Sequence, residues 1–148
     1  MKPSNNNIKQ FDFWSQNPCG TDGSLNNVIQ QRYRIEPWLR KELRTIPTEY
    51  KQYIEVGCGQ GADSFYICGN LNKEAKYIGI DYSAVSLKRA ASFTSEAKKL
   101  FDLKTIPEFL HGDASSLKFS KEEFDFAYSM GVLHHTPYPQ KSINEIYR

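Results

Sequence analysis

The sequence has few cysteines, no long apolar run and almost no excess charge of either sign. Its three cysteines, Cys19, Cys58 and Cys68, are an odd number at spacings unlike those of zinc sites. Neither a disulfide framework nor a structural metal is therefore expected. No apolar run approaches the ~20 residues that cross a bilayer. We expect a cytoplasmic protein with reduced thiols, no metal and no membrane-spanning segment.

The charge balance gives no support for a nucleic-acid partner. The chain has 19 Lys and Arg against 17 Asp and Glu, a formal net charge of +2. The basic pairs Arg40-Lys41, Lys88-Arg89 and Lys98-Lys99 are dispersed, with acidic residues nearby. This pattern is typical of solvated helix faces rather than of a groove that follows a phosphate backbone.

The length of 148 residues is enough for one domain with its own core, and the hydrophobic fraction of 39% is ordinary for a globular protein. We predict three segments. Residues 1–20 form a polar N-terminal extension that we expect to begin disordered, and residues 21–50 form N-terminal helices or a lid. Residues 51–148 form the main α/β unit.

Strand patterns alternate with helix patterns along the chain. Short apolar runs predict four strands, at Tyr53–Val56, Tyr77–Asp81, Pro107–His111 and Phe124–Ser129. Helices are predicted at Leu25–Arg34, just after Pro37, at Ala62–Leu71, from a Ser83 cap to Leu100, and from Pro139 onward. In the helix after Ser83 we expect Leu87, Ala90, Ala91 and Ala97 to pack inward. This alternation predicts a parallel sheet with helices on both faces.

The most informative segment is a glycine-rich loop, Glu55-Val56-Gly57-Cys58-Gly59-Gln60-Gly61, between the first strand and the following helix. Glycines at such a turn let the backbone approach a ligand closely. Asp81 ends the next strand about 20 residues later, where a carboxylate suits a ribose diol. The pair predicts a site for a nucleoside-containing cofactor. The loop alone also fits the dinucleotide fingerprint, so nicotinamide and flavin cofactors stay open at this point.

Three further features favour a cofactor other than a nicotinamide or flavin dinucleotide. The Glu55 carboxylate would repel a pyrophosphate but could accept hydrogen bonds from an ammonium group. Asp113 and Ala114 follow the third strand, where they could meet the edge of an adenine ring. The segment Ser129–His135 follows the fourth strand.

Four motifs in this order resemble class I S-adenosylmethionine-dependent methyltransferases. They are Glu-x-Gly-x-Gly-x-Gly, Gly-Ile-Asp-Tyr-Ser, Gly-Asp-Ala and Ser-x-Gly-Val-Leu-His-His. The resemblance covers residues 53–148 and is closest to the small-molecule group that includes ubiquinone-biosynthesis-type enzymes. It implies a Rossmann-like parallel sheet, S-adenosylmethionine as cofactor with S-adenosylhomocysteine as product, and a small-molecule methyl acceptor.

The resemblance also implies roles for single positions. The glycine loop would lie along the methionine part and the ribose, and Glu55 would lie near the amino group. Asp81 would hold the ribose hydroxyls, and Tyr82 would pack on the adenine. Tyr33 and Trp14 are candidates for a lid. The residues implied to bind the cofactor are Glu55, Gly57, Cys58, Gly59, Gln60, Gly61, Asp81, Tyr82, Asp113, Ala114, Ser129 and Met130.

Several of these residues have purely structural alternatives. Asp81 could serve as a helix cap beside Ser83, Asp113 as a turn former, and Tyr82 as an ordinary surface aromatic. His134 and His135 are weak candidates for acid–base chemistry or for contact with the acceptor. A metal site needs three or four converging ligands, and adjacent histidines usually point apart.

The chain ends within the last predicted helix, where the family normally continues with three more strands. We therefore expect a domain that lacks its last strands, and that self-associates or pairs with a partner chain completing the sheet. Two further hypotheses stay open. One is a non-catalytic S-adenosylmethionine-binding or interaction module, and the other is an NAD-dependent oxidoreductase.

Overall fold

The computed structural model describes Phe13 and residues 23–148. Trp14, Cys19 and the polar start of the chain lie outside the described residues. The strands are β1 (Gln52–Val56), β2 (Lys76–Asp81), β3 (Glu108–His111) and β4 (Phe126–Tyr128). The α-helices are α1 (Leu25–Ile35), α2 (Leu39–Leu43), α3 (Ala62–Cys68), α4 (Ala84–Leu100) and α5 (Pro139–Tyr147), and a short 3₁₀ helix spans Leu133–His135.

The four described strands form one parallel sheet in the order β3-β2-β1-β4. Tyr53 of β1 pairs with Tyr77 of β2 on one side and with Phe126 of β4 on the other. The chain therefore runs outward from β1 to β3 and then returns to the other side of β1. In open parallel sheets, ligands bind beyond the carboxyl ends of the strands at such a reversal point. The predicted parallel α/β sheet is confirmed.

Alternate residues of β1 serve two separate cores, because successive side chains of a strand point to opposite faces. Tyr53 is fully buried in a core built with residues of α1, α2, α3 and α4. Ile54 and Val56 face the other side, where Phe124, just before β4, and Ile146 of α5 pack on them. The sheet is thus covered on both faces.

Helix α4 begins at the predicted cap but faces the core slightly differently from the prediction. Ser83 Oγ accepts a 3.3 Å hydrogen bond from the Ser86 amide, which satisfies one free donor of the first turn. Leu87, Ala90 and Ala97 are buried as predicted. Ala91 is exposed, so that prediction was wrong. Successive helical residues are about 100° apart, and Ala91 therefore lies beyond the edge of the buried stripe.

Helix α3 ends earlier than predicted, at Cys68 rather than at Leu71. Gly69 caps its end where the chain passes close to Phe101: a Cβ on Gly69 would lie 2.8 Å from the carbonyl oxygen of Phe101. Leu71 is nevertheless buried, at 2% exposure. No helix in the described part of the chain is long and apolar enough to span a membrane.

Candidate functional site

The carboxyl ends of the four strands open into a cavity of about 460 Å³. Glu55 and the glycine loop line it after β1, Asp81 after β2, Asp113 after β3 and Met130 after β4. Helix α1 forms the facing wall. Its cavity-lining residues are Val28, Gln31, Arg32 and Ile35.

Two glycines of the loop are needed for different reasons. Gly57 has φ +85°, and a Cβ there would lie 2.2 Å from Cγ2 of Val132. Gly59 has φ +52°, and a Cβ there would meet no atom within 4 Å. Both positions favour glycine because L side chains avoid these backbone angles. The absence of a side chain at Gly57 lets Val132 pack against the loop, whereas its absence at Gly59 leaves the backbone accessible from the cavity.

Asp81 joins the end of β2 to the glycine loop. Its Oδ2 accepts a 2.8 Å hydrogen bond from the Gly59 amide, and its Oδ1 accepts one of 2.8 Å from the Ser83 amide. Burial raises the pKa of Asp81, and these hydrogen bonds oppose the rise. Tyr82 also lines the cavity, with its ring 5.5 Å from that of His111. The capping role and a ligand role can coexist here, because each carboxylate oxygen keeps a free lone pair.

Asp113 and Ala114 line the cavity at the end of β3. Asp113 Oδ1 accepts hydrogen bonds from the Ser115 amide at 2.7 Å and from its hydroxyl at 2.8 Å. The turn-forming role considered from the sequence is therefore present. It fixes the carboxylate at the cavity rim.

Glu55 is a buried carboxyl group at the floor of the cavity, only 2% exposed. Its Oε2 accepts hydrogen bonds from the Ser64 hydroxyl and, at 2.8 Å, from the Tyr77 hydroxyl. Burial and the nearby charge of Asp63 raise the pKa of Glu55 to about 8, although the two hydroxyl donors oppose the rise. The group is therefore largely protonated at neutral pH.

An ion pair not predicted from the sequence fastens α1 to the start of α3. Arg32 Nη2 lies 2.7 Å from Oδ2 of Asp63, and Arg32 Nε also donates to this carboxylate. The Tyr128 hydroxyl donates to the same Oδ2 at 3.0 Å. Asp63 is 5% exposed, so the pair is mostly desolvated.

Some predicted site residues lie away from the cavity wall. Gly61, Ser129 and His134 are not among its lining residues, whereas Cys58, Gln60 and His135 are. The Ser129 hydroxyl donates a 2.8 Å hydrogen bond to the Val56 carbonyl. Helices or a lid were predicted for residues 21–50, but the lining residues of α1 were not named as site residues, although they follow the i, i+3, i+4, i+7 spacing of one helical face.

The lid role considered for Tyr33 is wrong. Tyr33 is 8% exposed and packs in the core, with its ring 5.7 Å from that of Tyr66. Its hydroxyl donates to the Ala62 carbonyl at 3.4 Å. Trp14, the other lid candidate, lies outside the described residues. Within residues 23–148 and Phe13, no three His, Cys, Asp or Glu side chains cluster as metal ligands would.

Comparison with known proteins identifies the family of the sheet region. Residues 54–148 match a family described as a methyltransferase domain. The phthiotriol/phenolphthiotriol dimycocerosates methyltransferase of Mycobacterium tuberculosis is 31% identical over 66% of the chain and 33% of that protein. The tocopherol O-methyltransferase of Arabidopsis thaliana is 34% identical over 66% of the chain and 26% of its own length. A demethylmenaquinone methyltransferase of Oceanobacillus iheyensis is 25% identical over 84% of the chain and 50% of its own length.

Solved structures show the same fold. The [4+2]-cyclase SpnF aligns with a TM-score of 0.62 and 27% identity, over 73% of the chain and 38% of SpnF. The magnesium protoporphyrin IX methyltransferase of Synechocystis PCC 6803, solved with bound S-adenosylmethionine, aligns with a TM-score of 0.66 and 16% identity, over 99% of the chain and 72% of that protein. The chain thus spans between a quarter and a half of these curated relatives. It belongs to the methyltransferase domain family, within the class I S-adenosylmethionine-dependent methyltransferases.

Proposed function

We propose that this domain binds S-adenosylmethionine in the 460 Å³ cavity and directs its methyl group to a small, largely apolar acceptor. The proposal depends on the position of three carboxyl groups at one cavity. Glu55, Asp81 and Asp113 stand at the ends of three adjacent parallel strands, and all three line one cavity. Cavities of this size class hold small molecules and cofactors.

Each part of this cofactor has a matching polar or aromatic group in the cavity. The free lone pairs of Asp81 can accept hydrogen bonds from two ribose hydroxyls. Tyr82 offers a flat ring to the adenine, and Asp113 and Ala114 offer polar groups to its edge. The open space above Gly59 admits the cofactor to the backbone. Glu55 supplies an acceptor for the amino group once the cofactor's positive charge favours its ionised form.

Part of the cavity lining on α1 and after β4 is apolar, which supports an apolar acceptor. This part of the lining consists of Val28 and Ile35 of α1 and of Met130, Val132 and Pro137 after β4. The relatives are named for phthiotriol/phenolphthiotriol dimycocerosates, demethylmenaquinone and tocopherol. We propose an acceptor of this general class.

When bound, S-adenosylmethionine supplies a methyl group on a sulfonium, which needs no further activation. The chain therefore has to align the acceptor and exclude water. His135 lines the cavity, and burial together with the neighbouring His134 lowers its pKa. A neutral His135 can take a proton from a hydroxyl acceptor. His134 does not line the cavity, so His135 is the better candidate of the two.

Calorimetric titration with S-adenosylmethionine, S-adenosylhomocysteine and NAD tests the cofactor. We expect both adenosyl compounds to bind, NAD not to bind, and Asp81→Ala to weaken adenosyl binding strongly. Absence of adenosyl binding to the wild-type chain would overturn the proposal. Transfer of a labelled methyl group to a panel of phenols, quinols and lipid alcohols then tests the acceptor class.

A second function is favoured by one neighbour, because SpnF shares the fold and is named for a cyclisation. A non-catalytic or differently catalytic S-adenosylmethionine-binding module would bind the cofactor without methyl transfer. The same labelled assay therefore separates the two functions.

We also expect association through the outer edge of β4, which pairs with no other strand among the described residues. Self-association or pairing with a partner chain would cover it. Light scattering that shows a stable monomer at all concentrations would count against self-association.

A further inference from the structure

We infer that Gln31 of α1 is a further cofactor-positioning residue, whose side-chain carbonyl accepts a hydrogen bond from the α-amino group of S-adenosylmethionine. The inference rests on the proposed function. Gln31 precedes the region matched by the methyltransferase family, which begins at residue 54. The role therefore falls to helix α1, outside the matched region.

Gln31 carries a buried polar atom without a partner. Its Oε1 is buried and has no hydrogen-bond partner within the described part of the chain. The residue lines the cavity. A buried acceptor left unpaired costs about 1–3 kcal/mol. Such atoms are rare in folded proteins, and we assign the missing donor to a ligand in the adjoining cavity.

The position of Gln31 on α1 directs it to the cavity. Val28, Gln31, Arg32 and Ile35 all line the cavity and follow the spacing of one helical face. Arg32 is engaged by Asp63. Gln31 is therefore the polar residue of this face whose acceptor is still unused.

The neighbours of Gln31 place it near the amino end of the cofactor. Arg32, the next residue, contacts Asp63 in the first turn of α3, directly after the glycine loop. The charge of Arg32 also acts on Glu55 and lowers its pKa. Asp113 stands at the end of β3, two strands away from β1, which corresponds to about 10 Å at the usual strand spacing. Gln31 therefore lies on the Glu55 side, away from the adenine side.

The chemistry of an ammonium group explains why a second acceptor is needed. An ammonium has three N–H donors and no acceptor. Glu55 Oε2 already accepts two hydrogen bonds, from Ser64 and Tyr77. Because Glu55 already accepts these two hydrogen bonds, it cannot accept from all three N–H donors of the ammonium. The Gln31 carbonyl provides another acceptor without adding a buried charge.

The test compares S-adenosylhomocysteine with its analogue that lacks the α-amino group, by calorimetric titration of the full chain. The wild type should prefer S-adenosylhomocysteine. Gln31→Leu should weaken S-adenosylhomocysteine by about tenfold, the size of one hydrogen bond to a charged group. It should leave the affinity of the deaminated analogue unchanged. Gln30→Leu, on the exposed side of the same helix, is the matched control and should change neither affinity.

Several outcomes would overturn the inference. Equal weakening of both ligands would assign Gln31 to another part of the cofactor or to general packing, and no weakening would remove it from the site. If Gln31→Leu fails to fold, Gln31→Glu replaces it and should keep the preference for S-adenosylhomocysteine; loss of that preference would contradict the role. A wild-type chain that binds neither ligand would overturn the proposed function itself, which separates the two failures.

Discussion

The backbone amide of Gly59 donates a 2.8 Å hydrogen bond to Oδ2 of Asp81. This contact joins the loop after β1 to the end of β2, the two places where the sequence predicted a cofactor site. The Ser83 amide holds the other carboxylate oxygen at the same distance. The carboxylate is therefore positioned by the fold before any ligand arrives.

Asp81→Asn should test this positioning. The amide can accept only one of the two backbone hydrogen bonds, and its NH₂ group would face the other donor. We expect the free energy of unfolding to fall by about 1–2 kcal/mol and S-adenosylhomocysteine to bind about tenfold more weakly. Urea denaturation and calorimetry measure the two effects. Glu96→Gln, on the exposed side of α4, is the control, and an unchanged affinity in Asp81→Asn would contradict the assigned role.

Gly57→Ala and Gly59→Ala should fail in different ways. The methyl group at position 57 would collide with Val132, so we expect little folded protein. At position 59 the methyl group would meet no protein atom, and only the backbone angle would cost about 1–2 kcal/mol. That methyl group would instead obstruct the cofactor. Circular dichroism should show Gly59→Ala folded, and calorimetry should show its cofactor affinity lost. Normal binding by Gly59→Ala would refute this use of the open space.

The stability of the ligand-free chain should depend on the protonation of Glu55. Its folded-state pKa of about 8 lies above the ordinary value of 4.5. Between these values the folded state holds a proton that the unfolded state has released, so stability falls as pH rises through this window. The slope from one group is at most about 1.4 kcal/mol per pH unit. Denaturation between pH 5 and pH 8 should show a flatter profile for Glu55→Gln than for the wild type. Glu74→Gln, at an exposed position, should keep the wild-type slope; parallel profiles for Glu55→Gln and the wild type would contradict the raised pKa.

The single variant Arg32→Met should lose more free energy of unfolding than the double variant in which Asp63 is also replaced by Asn. Arg32→Met leaves the mostly buried Asp63 carboxylate without its cation. We expect a loss of about 2 kcal/mol, below the full value for a buried pair because Arg32 is a quarter exposed. Adding Asp63→Asn should recover part of that loss. Urea denaturation measures this double-mutant cycle. It is applied to both single variants, to the double variant and to the control Arg34→Met. Strict additivity would show that the pair contributes no coupling.

Much of the sheet could be predicted because its signals are local. The glycine loop, the run ending at Asp81 and the Ser83 cap each depend on neighbouring residues. Ala91 was wrongly predicted to face the core, because the adjacent Ala90 and Ala91 are equally hydrophobic and do not show which of the two points inward. The Arg32–Asp63 pair joins residues 31 positions apart, and no local pattern announces such a contact. Tyr33 was misassigned because an aromatic side chain suits a lid and a core equally well.

The individual residues of α1 that line the cavity could not be named from local sequence, because their contacts depend on how distant elements are brought together. The residue patterns alone predicted only a parallel sheet, and the return of β4 beside β1 was implied by the resemblance to class I methyltransferases. In this order Tyr128 of β4 donates a hydrogen bond to Asp63, the residue that also pairs with Arg32. The site is thus partly a product of topology, which no single motif contains.

The two walls of the cavity come from separate stretches of chain, and this separation has an evolutionary consequence. The strand-end wall is built into the sheet, where a change at Asp81 or Gly57 disturbs the fold. Ile35, which is 66% exposed, lies on a helix that precedes the sheet, and its side chain can be exchanged without altering a strand. Selection can therefore diversify what is accommodated beside the cofactor by changing α1 alone, while the inherited sheet stays as it is.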